Sequence, residues 1–425
     1  MTGTGTATAT SLRTTGAGGT RRIPLAVFFV NLALSGNNAL VAATLYRLTG
    51  SASNFALVLI SNFAIAALVQ LVAGQVVDRM GAGRLAVVSE TFACGAIALE
   101  AVLSLRAHPA TAMVGAAALV SVVQAFYRAA MFSLSPQLAA KERLASLNAR
   151  INAAFQAGTL LGAPLGMLML CFRPVFWGFA VLALSFATAA GILKSLPRKS
   201  PAVPGAGGSQ DERGGLIRAL CEQRGLMLHI VICSGDYVAV SMFTLIVVPL
   251  ATDRFGGGTL TMALVNAALP AGVILSTLVP WGARSNGNPL TLLTASMSAL
   301  LAAFLLLLPS WGLLVTLLCV AVVGFTAGCS QTLLMTALQV RTPREVLGRV
   351  GSLRLFVASA LGAPTLALAS YLLDSGGVRT ALMYCAGVEG LYLACVLALS
   401  RRCLWGDRLF MSREAASSNA GEAAG

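Results

Sequence analysis

From about residue 23 the chain alternates long apolar runs with short polar or basic breaks, and the apolar runs show no period of two. Each runs ~20 residues or more, the length an α-helix needs to cross a ~30 Å hydrocarbon core. Every backbone N–H and C=O in hydrocarbon needs an internal partner, so these runs are read as helices. Twelve are expected, near 23–46, 54–77, 84–105, 110–133, 149–171, 174–194, 226–251, 259–281, 289–308, 311–335, 350–373 and 379–400. The first twenty residues, mostly Thr, Gly and Ala with a single Arg13, are too polar for a signal-peptide core. Residues 1–22 are therefore expected to be a disordered cytoplasmic tail, and the run after Arg21-Arg22 the uncleaved first span.

Composition points the same way. Hydrophobic residues make up 57% of the 425 and charged residues 10%, against roughly 25% charged in soluble domains. Such a chain cannot wet a large globule, so lipid is its outer solvent and the inner membrane its expected location. The nine cysteines include no CxxC pair and sit mostly inside apolar runs. They read as small apolar side chains, with no metal or cofactor expected.

A net charge of +14 raises the question of nucleic acid, and the positions of the charges answer it. With the N-terminus in the cytoplasm, five of the 29 Lys/Arg fall on the far side: Arg47, Arg106, Arg173, Arg254 and Arg379. Arg128 lies inside a span, which leaves 23 on the cytoplasmic side. That is the asymmetry of the positive-inside rule, and it places both termini in the cytoplasm. The basic excess is a topology signal, and no nucleic-acid partner is expected.

The longest polar stretch lies midway. Residues 196–225 are rich in Pro, Gly and Ser and read as a cytoplasmic linker between bundles at 23–195 and 226–400, with a tail at 401–425. The two halves share a pattern. Leu147-Asn148-Ala149-Arg150 precedes a helix carrying Gly162-Ala163-Pro164, and Leu347-Gly348-Arg349 precedes one carrying Gly362-Ala363-Pro364, 200 residues later. Six-helix parallel repeats are a transporter architecture, with the substrate site near the midplane. Gly158, Gly162, Pro164, Gly362 and Pro364 are expected to shape helix packing.

Between the second and third spans stands Gly74-Gln75-Val76-Val77-Asp78-Arg79-Met80-Gly81-Ala82-Gly83-Arg84. Gly74 would let a neighbouring helix approach, and Gly81 would allow a tight turn. Asp78 is placed to pair with a basic residue or a helix N-terminus. The plainer reading is a short basic loop that only sets topology. The segment resembles the G-x-x-x-D-R-x-G-x-x-R loop of the major facilitator superfamily, through Gly74, Asp78, Arg79, Gly81 and Arg84. The segments 136–150 and 343–350 look like those of the enterobactin-exporter and macrolide-efflux group. The run 157–166 is similar to the fifth helix of drug:proton antiporters. The resemblance implies twelve helices in two pseudo-symmetric bundles, export of a small molecule, and a monomer. The second half departs from it: Trp281-Gly282-Ala283-Arg284 has no Asp.

Polar residues at membrane depth are costly and so become functional candidates. Asp236 lies ten residues into the seventh span, roughly 15 Å deep, with His229 on nearly the same face. The resemblance places the first, fourth, seventh and tenth helices around a cavity, which would make Asp236 a proton-exchanging acid. A structural Asp bonded to a neighbouring helix is the other reading. Glu90, Glu100 and Glu389 are further acids at depth, read as packing groups or secondary proton sites. Asn31, Ser35 and Asn38 form one face of the first helix. Ser121, Gln124 and Arg128 form a stripe on the fourth, and Ser234, Tyr237, Ser241 and Thr244 one on the seventh. These are substrate-cavity candidates, or polar glue between helices. Arg128 is a candidate for an anionic substrate group, or a snorkelling arginine. Tyr127, Phe126 and Phe243 are candidates for an aromatic lining, or packing groups.

The expected function is proton-driven export of a small amphipathic compound such as a drug, secondary metabolite or siderophore. The alternative is uptake of a nutrient. A membrane-embedded enzyme finds no support, since the chain has no HExxH, nucleophile elbow or Walker lysine loop and only two histidines.

Overall fold

The computed structural model describes residues 6–49, 68–70, 72–105, 110–171, 174–196, 226–256, 258–281, 289–343 and 346–401. Most of the expected second span, nearly all of the linker and the C-terminal tail lie outside them. Regular structure among the described residues is helical: α1 (Thr6–Thr49), α2 (72–80), α3 (Ala82–Leu103), α4 (Ala110–Leu138), α5 (Lys141–Met169) and α6 (Phe176–Lys194). The second half supplies α7 (Leu226–Phe255), α8 (Thr259–Leu275), α9 (Pro289–Leu306), α10 (Leu313–Arg341) and α11 (Leu347–Arg401).

Among the described residues, eight helices are long and apolar enough to cross a membrane, and Thr291–Leu306 is a shorter apolar helix. The molecule is a multi-pass membrane protein. α11 covers the last two expected spans, and its helical geometry breaks at Gly377, where φ is 73° and ψ is −177°. Only a residue without Cβ adopts that φ without cost, so glycine sets the corner. At the other end α1 runs back to Thr6. Helical hydrogen bonds are local, and nothing before Pro24 forbids them. The apolar window nonetheless begins at Arg21.

The helices form two compact units. Unit 1 comprises Met1–Ala140, Ala153–Gly208 and Leu347–Leu353; unit 2 comprises Lys141–Asn152, Ser209–Val346 and Arg354–Gly425. Each unit has therefore taken in a short segment from the other half of the sequence. Those two segments contain the related positions 147–150 and 347–349. In unit 1, α3 packs on α4 and α6, and α1 packs on α6 and α4, around Phe179, Leu182 and Phe186. In unit 2, α10 packs on α7, α8 and α9. Phe243 is buried there against Phe304, with ring centroids 5.4 Å apart. Phe243 is thus a core residue and not part of an aromatic lining.

Glycine decides the closest helix contact in unit 1. Gly158, Gly162 and Gly166 lie at i, i+4 and i+8, on one stripe of α5. A Cβ on Gly158 would meet the Phe28 carbonyl and Asn31 Cβ; on Gly162, the Leu32 carbonyl and Ser35 Cβ; on Gly166, the Gly36 carbonyl. α5 thus lies with its backbone against residues 28–36 of α1, the packing that small-xxx-small stripes allow in lipid. The repeat does not carry this over. Among the described residues, a Cβ on Gly362 would meet Val238 Cγ2 at an ordinary 3.6 Å. Unit 2 instead brings α8 against α10 through Gly272, Gly324 and Gly328.

Candidate functional site

The loop between α2 and α3 turns at Gly81, whose φ is 82° and whose N–H donates to the Val77 carbonyl at 2.9 Å. That turn leaves Asp78 on the last turn of α2. Within unit 1 it meets the first turn of α11. The Gly348 N–H donates to Asp78 Oδ1 at 3.1 Å, and Arg349 Nε lies 3.1 Å from Asp78 Oδ2. Asp78 has both partner types the sequence suggested, a helix N-terminus and a base. Both side chains are mostly shielded, with 12% of Asp78 and 16% of Arg349 exposed. Gly74 permits the approach, since a Cβ there would lie 2.6 Å from Arg349 Cα and 2.8 Å from the Gly348 carbonyl oxygen. Arg84 is exposed, as is Arg79.

Unit 2 has a matching arrangement built from different chemistry. Asn148, the residue 200 before Gly348, donates through Nδ2 to Thr336 Oγ1 at 2.9 Å and to Gln339 Oε1 at 2.8 Å. An amide network on α10 takes the role that the carboxylate has on α2. Sequence reading missed Asn148 and the Arg349 pairing; the repeat that aligns residues 148 and 348 was the available signal.

Burial raises the Asp78 carboxyl from 3.8 to about 6, with Arg349 and the Gly348 N–H opposing the shift. The carboxyl freed from α11 is expected near its ordinary value, so the proton binds the held arrangement more tightly. The sign follows. The contact is strengthened as pH falls through about 6 and penalised above it. Hydrogen exchange of the 347–353 segment, corrected for intrinsic rates, is expected to be more protected at pH 5.5 than at 7.5. Asp78→Asn should remove that difference, and equal pH dependence in the variant would refute the assignment.

Two acids on α3 are fully buried in unit 1. Glu90 Oε1 accepts from Gln124 Nε2 at 3.3 Å, Oε2 has no hydrogen-bond partner among the described residues, and the buried Tyr127 lies nearby. Glu100, ten residues on and about 15 Å along the helix, faces the buried Asn37 of α1. The residues of the expected substrate face have different surroundings. Asn31 is buried, donates to the Val27 carbonyl and meets α5 at Gly158. Ser35 donates to the Thr159 carbonyl. Both side chains lie where α1 packs against the glycines of α5. Asn38 and Arg128 are exposed. Gln124 is buried and serves Glu90.

In unit 2, His229 Nε2 lies 3.2 Å from the Leu334 carbonyl, which also accepts from Cys233 Sγ at 3.3 Å. Ser234 donates to the carbonyls of Ile230 and Arg354. These side chains join α7 to α10 and α11. Tyr237 is exposed, and Ser241 donates to its carbonyl. Glu389 is fully buried. The side chain of Asp236 lies outside the described residues.

Comparison with known proteins adds to this geometry. The family model described as Major Facilitator Superfamily matches residues 25–366. Among curated relatives, the enterobactin exporter EntS of Escherichia coli O1:K1 is 24% identical over 232 residues, 53% of each chain. The enterobactin exporter EntS of Shigella flexneri is 25% identical over 227 residues, again 53% of each. The matched region thus spans about half the length of these relatives. The fold is similar to the human organic anion transporter TETRAN, with TM-score 0.69 at 16% identity over 90% of this chain and 99% of that one. It is equally similar to a bacterial homologue of the iron transporter ferroportin in its outward-facing state, with TM-score 0.69 at 15% identity over the same shares.

Proposed function

The chain belongs to the Major Facilitator Superfamily, and on that premise we propose that it is a proton-driven exporter of a small amphipathic molecule. A drug, a secondary metabolite or a siderophore fits this reading. It works by alternating access, as a monomer of twelve spans with both termini in the cytoplasm. Export is supported by the partial likeness to enterobactin exporters. The observation that carries proton coupling is Glu90. Its carboxyl is wholly buried, with one oxygen on a neutral amide and the other without a hydrogen-bond partner among the described residues. An ionised carboxylate there is costly, so the group is suited to holding a proton and releasing it when access changes. Glu100, Glu389 and Asp236 are the other coupling candidates; Asn38, Arg128, Tyr237 and Ser241 are the remaining substrate-cavity candidates.

Cells expressing the protein should lower their load of a fluorescent amphipathic dye only while a proton gradient is maintained. Glu90→Gln keeps the shape and the Gln124 contact but removes titration. It is expected to cut gradient-driven efflux by roughly tenfold or more, a change of ~1.4 kcal/mol in coupling, while exchange down a gradient persists. Wild-type pumping in Glu90→Gln with loss in Asp236→Asn would move the coupling role to α7. Gradient-driven uptake in place of efflux would overturn export.

A further inference from the structure

Of the five arginines on the far side of the charge asymmetry, the two in unit 2 converge on one cavity. Arg254, in the last turn of α7, and Arg379, just beyond the Gly377 corner of α11, line a space of about 300 Å³ with Asp253 and residues 308–310. The cavity lies at the end of unit 2 remote from Arg341, where α7 ends and α10 begins. Arg254 is fixed in place: Nη2 donates to the Leu307 carbonyl at the end of α9. Its Nη1 is shielded from solvent and has no acceptor among the described residues. Arg379 is exposed. Two guanidinium groups against the one carboxylate of Asp253 leave a single net positive charge at the mouth.

The surroundings belong to a bilayer interface. Trp311, 42% exposed, donates its indole N–H to the Leu306 carbonyl; exposed tryptophan with one bonded polar tip is characteristic of the headgroup level. Leu305, Leu306 and Leu314 stand exposed beside the 308–310 loop. They offer apolar surface on which an acyl chain can lie. Arginine is also costly to keep on the far side under the positive-inside rule, and topology gives no reason for two on one cavity.

We infer that this cavity binds the phosphodiester headgroup of a singly anionic phospholipid, with Arg254 and Arg379 on the phosphate and the acyl chains along the adjoining leucines. Paired guanidinium groups suit phosphate oxygens, and basic pockets between membrane helices take lipid headgroups. Ser310 and Asp253 remain to hydrogen-bond headgroup hydroxyls. The site needs no assumption about transport.

The test uses purified full-length protein in detergent, titrated with dioctanoyl phosphatidylglycerol while thermal unfolding is followed. Dioctanoylglycerol supplies the same chains without phosphate, and sn-glycerol 3-phosphate supplies phosphate without chains. The lipid is expected to raise the unfolding temperature of the wild type. In Arg379→Gln its apparent affinity should fall about fivefold, in keeping with loss of one charge-assisted contact at an exposed site. Arg379→Lys should recover most of it. Arg379 is a surface residue, so these variants remain foldable even where Arg254 variants are not. Equal binding in wild type and Arg379→Gln would overturn the site. An Arg379-dependent response to glycerol phosphate as strong as that to the lipid would overturn the lipid assignment, in favour of a soluble phosphate ester. An equal response to dioctanoylglycerol would reduce the effect to chain packing and overturn the headgroup site.

Discussion

Gly162→Ala is expected to destabilise the protein strongly, whereas Gly362→Ala, at the matching position of the repeat, is expected to be neutral. At Gly162 the new methyl runs into the Leu32 carbonyl, with Ser35 Cβ at 2.9 Å and the Gly36 nitrogen at 3.1 Å. The main obstacle is backbone, so no rotamer change relieves it and α1 must move off α5. Overpacking of this kind costs ~1–3 kcal/mol, and the separation also weakens the contacts at Gly158 and Gly166. A double Gly158→Ala, Gly162→Ala variant should fail to accumulate in the membrane. At Gly362 the nearest neighbour is Val238 Cγ2 at 3.6 Å, and alanine is a better helix former than glycine by ~1 kcal/mol. Thermal unfolding in detergent, read by monodisperse yield, distinguishes the two. Equal damage at both positions would mean that the α1–α5 approach is not glycine-dependent.

The second large effect concerns Asp78. Asp78→Ala removes the acceptor of the Gly348 N–H and the partner of Arg349 at once. A hydrogen bond to a charged group contributes ~1.5–3 kcal/mol, which alters the balance between held and released α11 by about 10- to 100-fold. If transport requires α11 to leave and rejoin α2 in each cycle, turnover should drop at least tenfold while insertion is unchanged. Asp78→Asn, neutral like the protonated acid and still an acceptor for the Gly348 N–H, should hold α11 and differ from wild type in its pH dependence rather than reproduce the loss. Gly74→Val tests the contact without touching charge, because its side chain meets the Arg349 backbone. It should reproduce the Asp78→Ala defect, and Arg84→Ala, at an exposed position, should not. Normal turnover in Asp78→Ala would reduce the loop to a topology signal.

Some of these contacts are legible in the sequence and others are not. The loop at 74–84 announced a carboxylate in need of a partner, and the structure supplies Gly348 and Arg349. It could not say which base, because the partners are separated by 270 residues of chain. Asn31, Ser35 and Asn38 read as one face of the first helix, and of these Asn31 and Ser35 turn toward α5 while Asn38 is exposed. What that face meets is the glycine stripe of α5, and periodicity carries no record of the opposing surface. The repeat of Gly-Ala-Pro was real as a pattern and unequal in use: one glycine is pressed on backbone, the other stands at ordinary distance.

What the sequence determined by itself is therefore the helical fold class, the long apolar spans and the polar breaks between them. Helical hydrogen bonds are closed within a few residues, and transfer to lipid depends on composition, so both are local quantities. The tertiary structure alone decided that Glu90 meets Gln124, that Asn31 faces Gly158 of α5, and that Arg254 and Arg379 share a cavity. Each of these depends on how one helix is rotated and set against another. That is fixed by shape and by polar pairing between residues far apart in the chain, and no window of sequence contains it.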